Sequence, residues 1–407
     1  IFSNFSIRGG GALIEVVFFL LVANRLGLED SSRYFVAYSF FLVMVAFSRG
    51  GADFKVVRDI PGCCEKNNMQ EIRITIFEAF LKVIVYSLIM ILLSVFLDFL
   101  GFFNYVLGND SADILKMFIF AVMPVALIYL CSEIFRGYQS IQFSQFIYGW
   151  VVLGPTLLWV SMRGDFNSED LVKFYISSSY CVLIIILVLL NRRVHFLKSI
   201  RLNLSYSLLK VDTFFFTRLT VLVSVWLPVW IINFTKNHEA VGMFVVANRF
   251  AMGVTLALVA VEASAGPKFA EIYKNNSMSL LYKTLKNTQY LSVGLSLLIG
   301  IILIMMSYFI ADYLGIQSKG VFVSIIGILV SGYIINGFFA PIGTLFQMTF
   351  NENLALRAYL NGVFYGAFIL ILLLSFFGEL GLAFGCSFIY LIRGVQLNKM
   401  RHKVFDI

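Results

Sequence analysis

Charge is scarce in this chain. Asp, Glu, Lys and Arg make up 13% of its 407 residues while 60% are hydrophobic, and the mean hydropathy is +0.88. That excludes a soluble globular protein, which has no use for so much apolar surface. Histidine is scarcer still, with three residues. His195 and His402 fall in stretches read as cytoplasmic and His238 in an external turn, so haem ligation and histidine-based metal sites are excluded. Of the five cysteines, Cys63 and Cys64 belong to a loop on the reducing side, where thiols stay free. Cys131, Cys181 and Cys386 sit in or beside apolar stretches as small hydrophobes. No nucleophile–base pair or metal-ligand cluster is visible, and the external loops are short, none much above about 15 residues. A cleaved signal peptide is not expected, because the first segment opens with Arg8 and no small-residue cleavage site follows.

What is present is a succession of apolar runs. A bilayer core needs about 20 mostly apolar residues per helix. Such segments fall at 5–24, 33–50, 74–98, 114–135, 141–162, 171–190, 211–233, 240–265, 288–310, 320–345, 355–377 and 380–394. The expected fold is therefore all-α and integral to a membrane, with twelve transmembrane helices. The tenth run is long, and its Pro341 is expected to mark a kink or break. The 43 Phe and 19 Tyr are read as lipid-facing and packing residues.

Lysine and arginine set the orientation. Arg49, Lys55, Arg58, Lys66 and Arg73 follow the second run, and Arg192, Arg193, Lys198, Arg201 and Lys210 follow the sixth. Lys268, Lys274, Lys283 and Lys286 follow the eighth, with Arg393, Lys399, Arg401 and Lys403 at the end. The alternate connections carry few. Both termini are thus expected in the cytoplasm, and the net charge of +8 is explained without a nucleic-acid partner.

The chain repeats itself. "YFVAYSFF" (34–41) opens the second run and "MFVVANRF" (243–250) lies in the eighth; "KNNM" (66–69) is matched by "KNNSM" (274–278). Pro124 and Tyr148–Gly149 are matched by Pro341 and Tyr365–Gly366 in the same order. Duplication of a six-helix unit follows. Because six is even, both copies share one orientation, as in parallel-repeat transporters. The expected organisation is an N-terminal lobe 1–190, a cytoplasmic linker 191–210, a C-terminal lobe 211–394 and a cytoplasmic tail 395–407, with a cavity between the lobes.

Three cations remain inside apolar runs: Lys82, Arg218 and Arg249. Each costs roughly 2.5–3.5 kcal/mol on insertion scales. Glu78, four residues before Lys82, is a local partner for it. Arg218 is within about 11 Å of the cytoplasmic end of its helix, so snorkelling and cavity-lining stand level. Arg249 is about 13 Å from the external end, with no carboxylate at i±3 or i±4; Glu262 is about 20 Å along the same helix. Arg249, with Asn248 beside it, is the first candidate for binding a ligand. On the first helix Arg8 and Glu15 share a face two turns apart. Gly9, Gly10 and Gly11 lie between them as a weak, closely approachable stretch, read as a hinge. Arg49 ends the second helix beside glycines and either anchors it or guards the cytoplasmic mouth. Glu15 is the candidate for coupling to protons or sodium. Arginines converging on a cavity suit an anionic cargo, because arginine binds phosphate with paired hydrogen bonds and stays charged when dehydrated.

"GALIEVVFFLLVANRLGLED" with "YFVAYSFFLVMVAFSRGGADFKVVRDI", "EAVGMFVVANRFAMG" with "GPKFAEIYKNN", and "FFAPIGTLFQMTFNENLALRAYLNGVF" resemble polysaccharide flippases of the Wzx type. These group with the MurJ lipid II flippases and the MATE exporters in the MOP superfamily. The resemblance implies two six-helix lobes in the bacterial inner membrane. It also implies export of an undecaprenyl-diphosphate-linked oligosaccharide, such as an O-antigen repeat, from the cytoplasmic to the periplasmic leaflet. By the same resemblance Arg249 holds the arginine position of the eighth helix in lipid II flippases, and Arg8 and Arg49 fall near their basic positions in the first two. No cofactor or metal is implied; membrane lipids are partners, and a polymerase and a chain-length regulator of the same pathway are the expected protein partners. A rival within the superfamily is a MATE-like, cation-coupled exporter of small organic molecules. A rival of another class is a membrane enzyme of polysaccharide assembly, a polymerase or transferase.

Overall fold

The computed structural model describes residues 2–65, 69–194, 213–235 and 237–405. Most of the expected linker, from 195 onward, lies outside the described residues. The chain divides into two compact units, Ile1–Leu26 with Arg33–Phe215 and Gly27–Ser32 with Phe216–Ile407.

The first unit contains α1 (Phe2–Arg49), α2 (Ala52–Glu65), α3 (Met69–Phe99), α4 (Phe102–Leu107) and α5 (Asn109–Gly137). A split helix follows as α6 (Ile141–Phe146), a π-turn (Ile147–Val151) and α7 (Gly154–Met162), and then α8 (Ser168–Val194). The second unit contains α9 (Thr213–Asn233), α10 (His238–Ala251), a 3-10 turn (Met252–Val254) and α11 (Thr255–Lys274). It ends with α12 (Met278–Tyr313), α13 (Lys319–Met348), α14 (Glu352–Met400) and α15 (His402–Phe405).

Among the described residues, ten helical runs are long and apolar enough to cross a membrane. Two of them are double. A helix as long as the 48-residue α1 would extend about 72 Å, more than twice a hydrocarbon core of about 30 Å. It turns back at Gly27, whose φ of 77° and ψ of 165° suit a residue without a Cβ. The doubling is visible in the rings: Phe19 stacks on Phe35 at 4.7 Å and Phe18 meets Tyr34 at 6.3 Å. The turn groups with the second unit through Leu28, whose carbonyl oxygen would lie 2.2 Å from a Cβ on Gly242. The 49-residue α14 turns back in the same way at Gly378 (φ 57°, ψ −136°). Glycines then let its two arms touch. A Cβ on Gly366 would stand 2.3 Å from Ile389 Cγ1, and one on Gly385 2.7 Å from Leu370 Cα, the small-residue packing that lets membrane helices approach closely. Twelve crossings result, and the chain is a multi-pass membrane protein.

Within the first unit α5 is the buried centre, packed on α2, α3 and α8. Its Phe118 stacks on Phe41 at 4.9 Å and meets Tyr175 at 5.7 Å. Helices at the periphery bare one apolar face: Leu298, Ile301, Met305 and Phe309 of α12, and Phe364, Phe368 and Ile371 of α14, are exposed. Their three- and four-residue spacing is the stripe a bilayer covers. In the second unit α13 is central, tied to α12 by Gln289 Nε2 donating to the Phe338 carbonyl at 2.8 Å. It stays helical through Pro341.

Candidate functional site

Arg249 lies in the last turn of α10, just before the 3-10 turn Met252–Val254. It is 6% exposed. Its guanidinium carbon lies 4.0 Å from the centre of the Trp226 indole on α9, and Nη1 reaches Met252 Sδ at 3.8 Å. A planar cation over an indole is attracted by the ring's negative face, and the attraction grows when water is excluded. Asn248 beside it is also buried and links helices: the Tyr333 hydroxyl of α13 donates to its Oδ1 at 2.8 Å.

From Tyr333 a line of polar side chains continues through the second unit. Its ring lies 5.2 Å from that of Tyr390. Tyr390 flanks Arg393 at 5.1 Å, and Tyr359 lies on that guanidinium too, at 4.7 Å. Arg393 is 5% exposed and donates through Nη2 to Asn336 Oδ1. Among the described residues no carboxylate is within ion-pair distance of it. Further along, the Thr344 hydroxyl donates to Glu262 Oε1 at 2.8 Å.

Arg393, grouped by the sequence with the basic residues at the cytoplasmic end, is buried within α14. The twelfth run was ended at 394, one residue after it, whereas α14 continues to Met400. "FIYLIRGVQL" (388–397) carried the signal: an arginine three residues after a tyrosine in an otherwise apolar stretch. Trp226, in "VSVWLPVW" (223–230), was also missed, since its partner is on another helix and no local spacing reveals it.

In the first unit Arg49 closes α1 and is 6% exposed. Its Nη1 donates to Asp53 Oδ2 at 3.1 Å, and its guanidinium carbon lies 5.4 Å from the Tyr129 ring on α5. Glu15 is half-buried on the first arm of α1. Arg8 is helical in α1, and its side chain lies outside the described residues. The glycine triplet is a crossing point. A Cβ on Gly10 would fall 2.3 Å from Trp150 and one on Gly11 2.8 Å from Gly149 Cα, while Gly9 faces open space. Trp150 Nε1 also donates to the Ile7 carbonyl at 2.8 Å, fixing α1 on the π-turn. Arg218 is half-buried near the start of α9. Glu78 forms an ion pair with Lys55 of α2 at 2.6 Å, and buried Lys82 lies over the Tyr86 ring at 5.7 Å. Outside the spans, burial and the neighbouring Glu71 push the Cys63 thiol up, which disfavours its reactive thiolate. No group of three metal-ligating side chains occurs among the described residues.

The structure aligns along its whole length with solved transporters. An inward-facing multidrug resistance MATE family transporter of the MOP superfamily matches over 99% of this chain and 98% of its own, at a TM-score of 0.79 and 11% identity. The fold is that of the MATE transporters. An outward-facing multidrug resistance MATE family transporter of the MOP superfamily matches over 99% and 94%, at 0.73 and 12% identity. A eukaryotic MATE transporter matches over 99% and 96%, at 0.72 and 14% identity. No family model and no curated protein matches the sequence. On this MATE scaffold the deeply buried arginines Arg49, Arg249 and Arg393 are the feature to be explained.

Proposed function

We propose that the chain is a flippase that carries an undecaprenyl-diphosphate-linked oligosaccharide from the cytoplasmic to the periplasmic leaflet of a bacterial inner membrane by alternating access. Arg249 is its principal diphosphate-binding group. The observation that carries this reading is a guanidinium buried within a membrane helix, its carbon 4.0 Å from the centre of the Trp226 indole. A phosphate takes a guanidinium through paired N–H donors. Arginine remains charged in such surroundings. Arg8, Arg49 and Arg218 are the further basic candidates and Asn248 a polar neighbour. A diphosphate carries about two negative charges, and with a negative cytoplasm its outward movement is downhill by about 4–5 kcal/mol per 100 mV. Glu15 is the proposed group for any proton or sodium coupling.

A second reading has its own support. The solved relatives in fold include transporters described as multidrug resistance proteins, and the half-buried Glu262 beside Thr344 and Tyr359 supplies the acid and aromatic surface that a small organic cation needs. Substitution separates the two. Under the flippase reading Arg249→Ala abolishes glycolipid export while the protein stays in the membrane, and Arg249→Lys fails too if a two-point grip is required. Export unchanged in Arg249→Ala, together with drug export lost in Glu262→Gln, establishes the other.

A further inference from the structure

Arg49 ends α1 and Asp53 lies in the first turn of α2, with Gly50 and Gly51 turning the chain between them. Both side chains are buried, 7% and 3% exposed. Asp53 is fixed at both oxygens: Oδ2 accepts from Arg49 Nη1 at 3.1 Å and Oδ1 from the Phe54 backbone N–H at 3.1 Å. The carboxylate therefore holds the guanidinium by one nitrogen. Nε, on the opposite edge, is buried and has no hydrogen-bond partner among the described residues. A buried cationic donor without an acceptor is costly to maintain, and the Nε edge is the one that takes an anion side-on in a two-point contact. Lys82 approaches the same corner, its Cε 3.3 Å from where a Cβ on Gly50 would stand.

We propose that Asp53 is a positioning residue that tunes Arg49 as an anion-binding group: it clamps Nη1, turns the Nε edge toward a phosphoryl oxygen of the cargo, and competes for the cation so that the anion is let go. The inference rests on the anion-carrier reading given above. A buried arginine with no internal counter-ion would grip a phosphate tightly and release it slowly, and a carrier needs release as much as capture. Asp53 opposes capture and assists departure.

The test uses the full chain in lipid nanodiscs, with geranylgeranyl diphosphate and inorganic pyrophosphate as probes. Asp53→Asn keeps the acceptor for the Phe54 N–H but removes the competing charge. It is expected to bind geranylgeranyl diphosphate about three- to tenfold more tightly than the parent, about 1.4 kcal/mol at the upper end. In proteoliposomes it is expected to move that probe more slowly. Asp53→Glu restores affinity toward the parent value, and Arg49→Gln loses about tenfold. Tighter binding with slower transfer is a signature that a purely structural residue does not give, since damage to packing lowers both. A parallel gain for pyrophosphate assigns the contact to the phosphates alone, and a gain confined to the lipid probe assigns it to a lipid headgroup. If Asp53→Asn and Asp53→Ser bind no more tightly than the parent while Arg249→Gln binds less, the inference falls and the carrier reading stands. If neither substituted protein folds, Asp53 is structural and the inference falls as well. If the parent chain binds neither probe, both fall together.

Discussion

Arg249 and Arg393 are both buried arginines, yet their surroundings assign them different work. Arg249 has one aromatic face against it and sits where α10 gives way to a 3-10 turn, a place where backbone regularity is already interrupted. Arg393 is enclosed between two tyrosines, bonded to Asn336 and pressed on Gly362, where a Cβ would stand 2.9 Å from its own. The second arrangement is a clasp joining α13 to both arms of α14. Arg393→Leu is therefore expected to leave Asn336 unsatisfied, with a cost of about 1–3 kcal/mol. The measurement is the melting temperature and membrane level of the purified variant, which should fall while transport per molecule of surviving protein stays near normal. Transport lost at full protein level would instead place Arg393 among the binding groups. At this scale the sequence was partly legible. An arginine inside an apolar run with no carboxylate three or four residues away can be recognised without a structure, as Arg249 can. Its aromatic partner cannot, because Trp226 meets it only when two helices pack, and Arg393, one residue from the end of its apolar run, reads as an ordinary flanking cation.

The elements follow from hydrophobic length, and their ends follow from glycine. Apolar runs separated by basic loops determine the number of crossings, and each run in the sequence corresponds to a helix or an arm of one. The hairpins at Gly27 and Gly378 were less legible, since the chain has 30 glycines and only tertiary packing decides which take up a left-handed turn. The "GGG" of 9–11 shows the same ambiguity: weak helix propensity suggests a hinge, while the structure lays Gly10 and Gly11 against Trp150 and Gly149. Close approach of helices has a sharp consequence in α14. Gly366→Leu must push its two arms apart at Ile389, and overpacking of this kind costs about 1–3 kcal/mol. Gly294→Leu in α12, where a Cβ meets nothing within 4 Å, is the control. Thermal denaturation in detergent is expected to show a lower midpoint for Gly366→Leu and no change for Gly294→Leu; equal midpoints would refute the tight contact.

For the whole molecule, the count of crossings and the fold class were readable because membrane insertion imposes a length and a polarity on every spanning segment. Cargo was not readable to the same depth. It depends on a few side chains brought together from distant helices, and the fold itself hosts more than one kind of cargo. The physical difference between the two candidate cargoes is the sign of their charge, and an arginine that contacts the cargo favours the anion. Membrane potential adds a second prediction: with the interior of the originating side negative, outward movement of a diphosphate accelerates as the potential rises, and that of an organic cation slows.

The most direct measurement reconstitutes the purified chain in vesicles and follows two cargoes side by side, an undecaprenyl-diphosphate-linked oligosaccharide and a fluorescent organic cation, with the parent protein and with Arg249→Ala. The account predicts that the glycolipid crosses, that the cation does not, and that loss of the Arg249 guanidinium stops the crossing. Transport of the cation alone, or glycolipid transfer indifferent to Arg249, would contradict it.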